Sequence, residues 1–157
     1  VINPAMLQRP QTLFLLAAFI MSLFLLTGPV ALIPLEEGEV MLKHSGAYDR
    51  SGERLDVATW PLTFLFATVA GLAFLNILFY RHRVRQMRVC VFLILLSAGM
   101  LGMVYYYVRY VKLNFEGLQV IYQWRIVIPP INMILLYLAY RRIRRDELLV
   151  KAYDRIR

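Results

Sequence analysis

Residues 57–108 read VATWPLTFLFATVAGLAFLNILFY (57–80), RHRVRQMR (81–88) and VCVFLILLSAGMLGMVYYYV (89–108). The outer two runs hold no Asp, Glu, Lys or Arg, whereas the octet between them holds four arginines. An uncharged run of about 20 residues is what one helix needs to cross a hydrocarbon core. Two such runs joined by a short arginine-rich turn predict a transmembrane helical hairpin with that turn on one side of a bilayer.

Working outward, Pro10–Leu35 and Ile126–Tyr140 are also free of charge. The first is long enough to span. The second spans only if extended back to Leu118, which brings in one charge, Arg125. The chain has 157 residues, 60% of them hydrophobic, and a mean hydropathy of +0.57. Soluble domains carry fewer apolar residues and more charge. The predicted fold is therefore an all-α membrane protein, residues 1–157 forming one domain of four transmembrane helices in a bundle. Residues 36–56 form the largest connection and residues 141–157 a basic helical tail.

Lys and Arg fall unevenly about these spans. With the N-terminus in the cytoplasm, twelve lie inside: Arg9, the four of 81–88, and Arg141, Arg142, Arg144, Arg145, Lys151, Arg155 and Arg157. Six lie outside: Lys43, Arg50, Arg54, Arg109, Lys112 and Arg125. Positive residues in short loops stay cytoplasmic, so both termini are predicted inside and the acidic 36–56 connection outside. Trp60, Trp124 and the tyrosines of 105–110 mark the outer interface, where amphipathic rings settle. Met6 reads as a natural start, making Val1–Ala5 an upstream extension. Thr12–Leu26 is longer than a signal-peptide core and lacks a small-residue cleavage site, so it reads as a retained first helix.

A net charge of +8 raises nucleic acid as a partner, since clustered Lys/Arg neutralise phosphates. Both clusters abut spans, however, and there they suit anionic lipid head groups or a membrane-protein partner. No nucleic acid is expected. The candidate lipid- or partner-binding set is Arg81, Arg83, Arg85, Arg88, Arg141, Arg142, Arg144, Arg145, Lys151, Arg155 and Arg157. In the tail, Ile143, Leu149, Val150, Tyr153 and Ile156 keep near-helical spacing, and Glu147 precedes Lys151 by four residues, a favourable helical pair. The tail is expected to continue the fourth helix or to lie on the head groups.

A weaker candidate is a ligand pocket at Arg125, Pro129, Pro130 and Asn132. Prolines inside a span kink it and free carbonyls, Asn132 adds an amide, and Arg125 is expected to snorkel or to pair with Glu116 or a carboxylate of 36–56. Asn76 lies at another depth and is not expected to meet Asn132. Gly28 is expected to take a left-handed conformation closing the first helix. In 36–56, Asp49–Gly52 reads as a turn, and Val40–His44 could form a small hairpin with Arg54–Val57. The small-residue pairs Ala67/Gly71 and Ala98/Gly102 suggest close packing within the chain first and homodimerisation second. His44 and His82 are expected on opposite sides of the membrane, so with Cys90 as the single cysteine no three-ligand metal centre can be assembled from them within one chain, and no Ser–His or phosphate-loop arrangement is evident. No metal, cofactor or enzymatic activity is expected.

Two segments carry a family resemblance. Met6-Leu7-Gln8-Arg9-Pro10-Gln11-Thr12-Leu13 resembles the opening of domain-of-unknown-function family 4293, small four-span bacterial membrane proteins, although Pro10 stands where an aliphatic residue is usual. Ile143-Arg144-Arg145-Asp146-Glu147-Leu148-Leu149-Val150-Lys151 and Asp154-Arg155-Ile156-Arg157 resemble its basic terminal signature. The resemblance implies a bacterial inner-membrane location and no known activity.

Overall fold

The computed structural model describes residues 10–35, 38–115 and 119–154. Helix α1 spans Pro10–Leu25, α2 Trp60–Leu78, α3 Arg83–Asn114 and α4 Ile128–Asp154. Strands β1 (Ala31–Leu35), β2 (Gly38–Lys43) and β3 (Gly46–Asp49) lie between α1 and α2, and β4 (Ile121–Tyr122) lies between α3 and α4. The helices pack in cyclic order, α1 on α2, α2 on α3, α3 on α4 and α4 on α1. Among the described residues three helical segments, Trp60–Leu78, Arg83–Asn114 and Trp124–Val150, are long and apolar enough to cross a membrane, and Thr12–Leu25 of α1 forms a shorter apolar helix.

The inward faces follow one rule. On α3 the buried residues are Gln86, Cys90, Leu93, Ser97, Met100, Val104, Tyr107 and Val111, with Val108 beside them. Those steps alternate between four and three, and Leu62, Phe66, Val69, Ala73 and Asn76 repeat them on α2. A 3.5-residue average keeps one seam facing its neighbours along a helix. Ser22 on α1 and Asn132 on α4 occupy the same kind of position. Apolar residues also cover the outside, as the exposed Phe64, Phe74, Phe92 and Leu95 show. Spacing therefore marks the interior better than hydrophobicity does.

Among the helix boundaries, the start of α2 at Trp60–Pro61 matches the sequence reading, with Pro61 in the first turn, where its missing N–H has no helical partner. Two do not. Helix α3 extends a turn or more beyond Val89–Val108 at each end, reaching about 48 Å, because Arg, Gln, Met, Lys and Tyr continue a helix once it is nucleated. Helix α4 begins at Ile128 after one 3₁₀ turn, Trp124–Val127. Pro129 and Pro130 therefore sit in the first helical turn, where no backbone N–H has an intrahelical partner. The expected mid-span kink is corrected: the prolines open the helix.

The connection between α1 and α2 is more structured than an isolated hairpin. The strands form an antiparallel sheet in the order β3-β2-β1-β4. Ala31 pairs with Leu42, Ile33 with Val40, and Leu42 with Ala47, and all five are buried on one face. The expected partner of β2 is corrected. After Lys43 the chain reverses over two residues so that Lys43 meets Gly46, and Arg54 returns alongside Tyr48 of β3 instead. The predicted Asp49–Gly52 turn is present, with the Gly52 amide donating to the Asp49 carbonyl at 2.9 Å and Gly52 at φ 82°. Tyr122 and Ile121 close the sheet by pairing with Ala31 and Leu32.

Candidate functional site

The alternating helices create two unlike ends. At the sheet end, the α1 C-terminus meets the start of α4 through Arg125. Its Nε donates to the Phe24 carbonyl at 3.4 Å and its Nη2 approaches Thr27 Oγ1 at 3.5 Å. The guanidinium also stands 4.9 Å from the Trp124 ring. A cation beside the last carbonyls of a helix is favourable there. Gly28 makes room for it: a Cβ at that position would stand 2.7 Å from Arg125 Cζ. Gly28 does not take the expected left-handed conformation, since the positive-φ glycines among the described residues are Gly38 and Gly52. Close approach is the reason for glycine at 28.

This arrangement redistributes the sequence-level pocket. Arg125 reaches the end of α1, and Asn132, further along α4, reaches the same helix one turn earlier: its Nδ2 donates to Ser22 Oγ at 2.9 Å, and Ser22 in turn donates to the Ala18 carbonyl at 2.8 Å. Among the described residues Asn132 Oδ1 is buried with no hydrogen-bond partner. Pro129 and Pro130 frame the helix start between them. The pairing of Arg125 with Glu116 lies outside the described residues.

His44 and Thr63 tie the sheet to the helices. Thr63 Oγ1 donates to the His44 carbonyl at 2.6 Å, and His44 Nε2 lies 3.1 Å from the Leu26 carbonyl. Tyr107 donates from its hydroxyl to the Ala58 carbonyl at 3.0 Å. Trp60 and Trp124 are both at this end and exposed.

The opposite end gathers the arginines. Arg83 Nη1 donates to the Asp146 carbonyl at 3.0 Å, joining the α2–α3 turn to the far part of α4. Beside that contact, His82, Arg83, Val84, Arg85, Glu147 and Val150 line a cavity of about 480 Å³. On the other side of α4, Phe14, Leu138, Arg141, Arg142 and Arg145 line a groove of about 500 Å³. Ile143, four residues before Glu147 and seven before Val150 on the same face, is buried. Positions 141, 142 and 145 share the helix face toward α1, whereas 147 and 150 share the one toward α3. Arg85, Arg88, Arg141, Arg142, Arg144 and Arg145 are all exposed, and Arg83 is half-buried. Of the rest of the predicted set, Arg155 and Arg157 lie outside the described residues, as do the side chains of Arg81 and Lys151. With Lys151 goes its expected pairing to Glu147. Helix α4 continues unbroken to Asp154, so the tail extends the fourth helix, one of the two expected arrangements.

Beside the arginine-rich turn, a polar cluster joins the end of α2 to the start of α3. Asn76 Nδ2 lies 3.2 Å from Cys90 Sγ, and Gln86 Nε2 donates to the Asn76 carbonyl at 3.1 Å. That carbonyl belongs to the last turn of α2, so Gln86 satisfies one acceptor the helix leaves open. Asn76 and Asn132 have separate partners, as their depths predict. Gln86 carries no motif in the sequence; only its seam spacing reveals it. Ala67, Gly71, Ala98 and Gly102 are exposed, and among the described residues nothing approaches within 4 Å of a Cβ built at Gly71 or Gly102. The expected packing of these pairs inside the chain is thus corrected: they face outward. Among the described residues no group of three or more His, Cys, Asp or Glu could hold a metal ion.

A family model described as a domain of unknown function, DUF4293, matches residues 7–156. No curated protein matches the chain.

Proposed function

Because the chain belongs to the family of domain of unknown function DUF4293, for which no activity is given, we propose a function from the asymmetry of its two ends. The protein is a four-span integral protein of the bacterial inner membrane with both termini cytoplasmic. It acts as a non-enzymatic accessory or scaffolding subunit whose basic cytoplasmic face contacts anionic lipid or a membrane partner. The observation that carries this is the convergence of Arg83, Arg85, Arg141, Arg142 and Arg145 at the end opposite the sheet and the tryptophans. Positive charge on the cytoplasmic side and aromatic rings at the far interface are what the bilayer selects. Juxtamembrane Lys and Arg contribute roughly 1 kcal/mol each toward an anionic surface.

The test uses the full chain, purified in a mild detergent doped with phosphatidylglycerol or with phosphatidylcholine. A higher melting temperature with the anionic lipid, reduced by added salt, is expected. Equal melting temperatures would remove the lipid role. Single cysteines introduced at Arg50 and at Arg144, with Cys90 replaced, check orientation by impermeant maleimide labelling of whole cells. Only the first is expected to react.

A further inference from the structure

We infer that the groove between α1 and α4 is a binding site for one anionic phospholipid, its phosphate held by Arg141, Arg142 and Arg145 and an acyl chain lying against Phe14 and Leu138. The inference rests on the membrane orientation proposed above and deepens it, replacing a diffuse basic face by one stoichiometric site.

The order of the lining residues along α4 carries the inference. Leu138 precedes Arg141 by one turn, on the side toward the middle of the helix, and Phe14 of α1 faces the same groove. In the proposed orientation the apolar part therefore points into the hydrocarbon and the arginines stand at head-group level. A phospholipid has that same sequence of chemistry along its length. A soluble phosphate would leave Phe14 and Leu138 unused, and an acidic peptide would have to descend below the interface to reach them. The groove, about 500 Å³, lies within the range of small-ligand sites. Among the described residues its lining holds three guanidiniums and no carboxylate. The cavity on the α3 side differs in containing Glu147, which opposes an anion. Arg forks match phosphate oxygens in pairs, so three of them favour a head group with net negative charge over a zwitterionic one, whose cation they repel. Basic pockets between spanning helices on the cytoplasmic side are a recurring form of lipid recognition.

The test is lipid titration followed by native mass spectrometry of the intact protein released from detergent. Phosphatidylglycerol is the probe and phosphatidylcholine the comparison. Two variants remove equal charge: Arg141→Gln/Arg142→Gln/Arg145→Gln in the groove, and Arg85→Gln/Arg88→Gln/Arg144→Gln outside it. Each guanidinium accounts for roughly a fivefold factor in affinity, so the groove variant is expected to bind phosphatidylglycerol roughly 100-fold more weakly. The outside variant should lose less than tenfold. Leu138→Trp fills the apolar part without changing charge and is expected to weaken retention of a single lipid by at least tenfold. Equal losses in the two triple variants would overturn the groove while leaving a diffuse basic surface intact. An unaffected Leu138→Trp would overturn the acyl-chain contact. A wild-type chain with no preference for phosphatidylglycerol would overturn both the site and the reading on which it rests.

Discussion

Gly28→Ala is the sharpest perturbation of the sheet end, because its sign depends on another residue. The new methyl group would stand 2.7 Å from both Cζ and Nη2 of Arg125, so the guanidinium must leave. Its departure removes a cation–π contact to Trp124 worth about 0.5–1 kcal/mol and a cation at the α1 C-terminus worth about 0.3–1 kcal/mol. The two hydrogen bonds, at 3.4 and 3.5 Å, are long and add little. Against this, alanine narrows the unfolded ensemble and contributes about 0.4–1 kcal/mol where its backbone is compatible, which the absence of a left-handed conformation at Gly28 allows. Gly28→Ala alone should therefore destabilise by up to about 1.5 kcal/mol. In an Arg125→Ala background the same change should be neutral or stabilising by about 0.5 kcal/mol. Equilibrium unfolding of the four proteins in mixed detergent micelles gives the double-mutant cycle. Additive costs would refute the idea that glycine is needed there for the arginine. A left-handed requirement at Gly28 would likewise make the change costly in both backgrounds.

Two further outcomes follow from the same geometry. Ser22→Ala and Asn132→Ala remove opposite halves of one buried hydrogen bond, so their unfolding free energies should couple by roughly 0.6 kcal/mol, the usual scale between spanning helices; a coupling of zero would mean the pair is not formed. Gly71→Ala and Gly102→Ala meet no atom within 4 Å and should each stabilise the chain by up to about 1 kcal/mol through helix propensity, whereas a loss of stability in either would mean that another surface packs there.

The sequence discloses the helices well because a bilayer-sized apolar run is a strong signal and few alternatives satisfy it. It also places the arginines at a common end, since alternate connections must return to the same side. What it conceals depends on pairing at a distance. Strand β4 is two residues long and finds β1 some ninety positions earlier, so no local pattern around Ile121 announces it. The start of α4 is hidden for a different reason: an apolar window counts Trp124–Val127 and Ile128 onward alike, although a 3₁₀ turn and a proline pair divide them. Within the arginine set, residue type alone cannot separate Arg141 and Arg145 from Arg144. All three are exposed, and only their helical phase relative to Leu138 decides which of them line the groove.

The pairing of β4 with β1 has a consequence for how the chain is held together over time. It joins the connection after α1 to the connection before α4, which are also the two helices that pack side by side to complete the cycle. The fourth strand is thus a clasp on a ring. It can engage only after α3 has been made, since Ile121 and Tyr122 follow that helix in the chain, and once engaged it ties the end of α1 to the start of α4 through the sheet edge. Such late, non-local contacts contribute little to the rate of folding and much to the slowness of unfolding. Two short strand residues therefore bear on the lifetime of the assembled protein out of proportion to the area they bury.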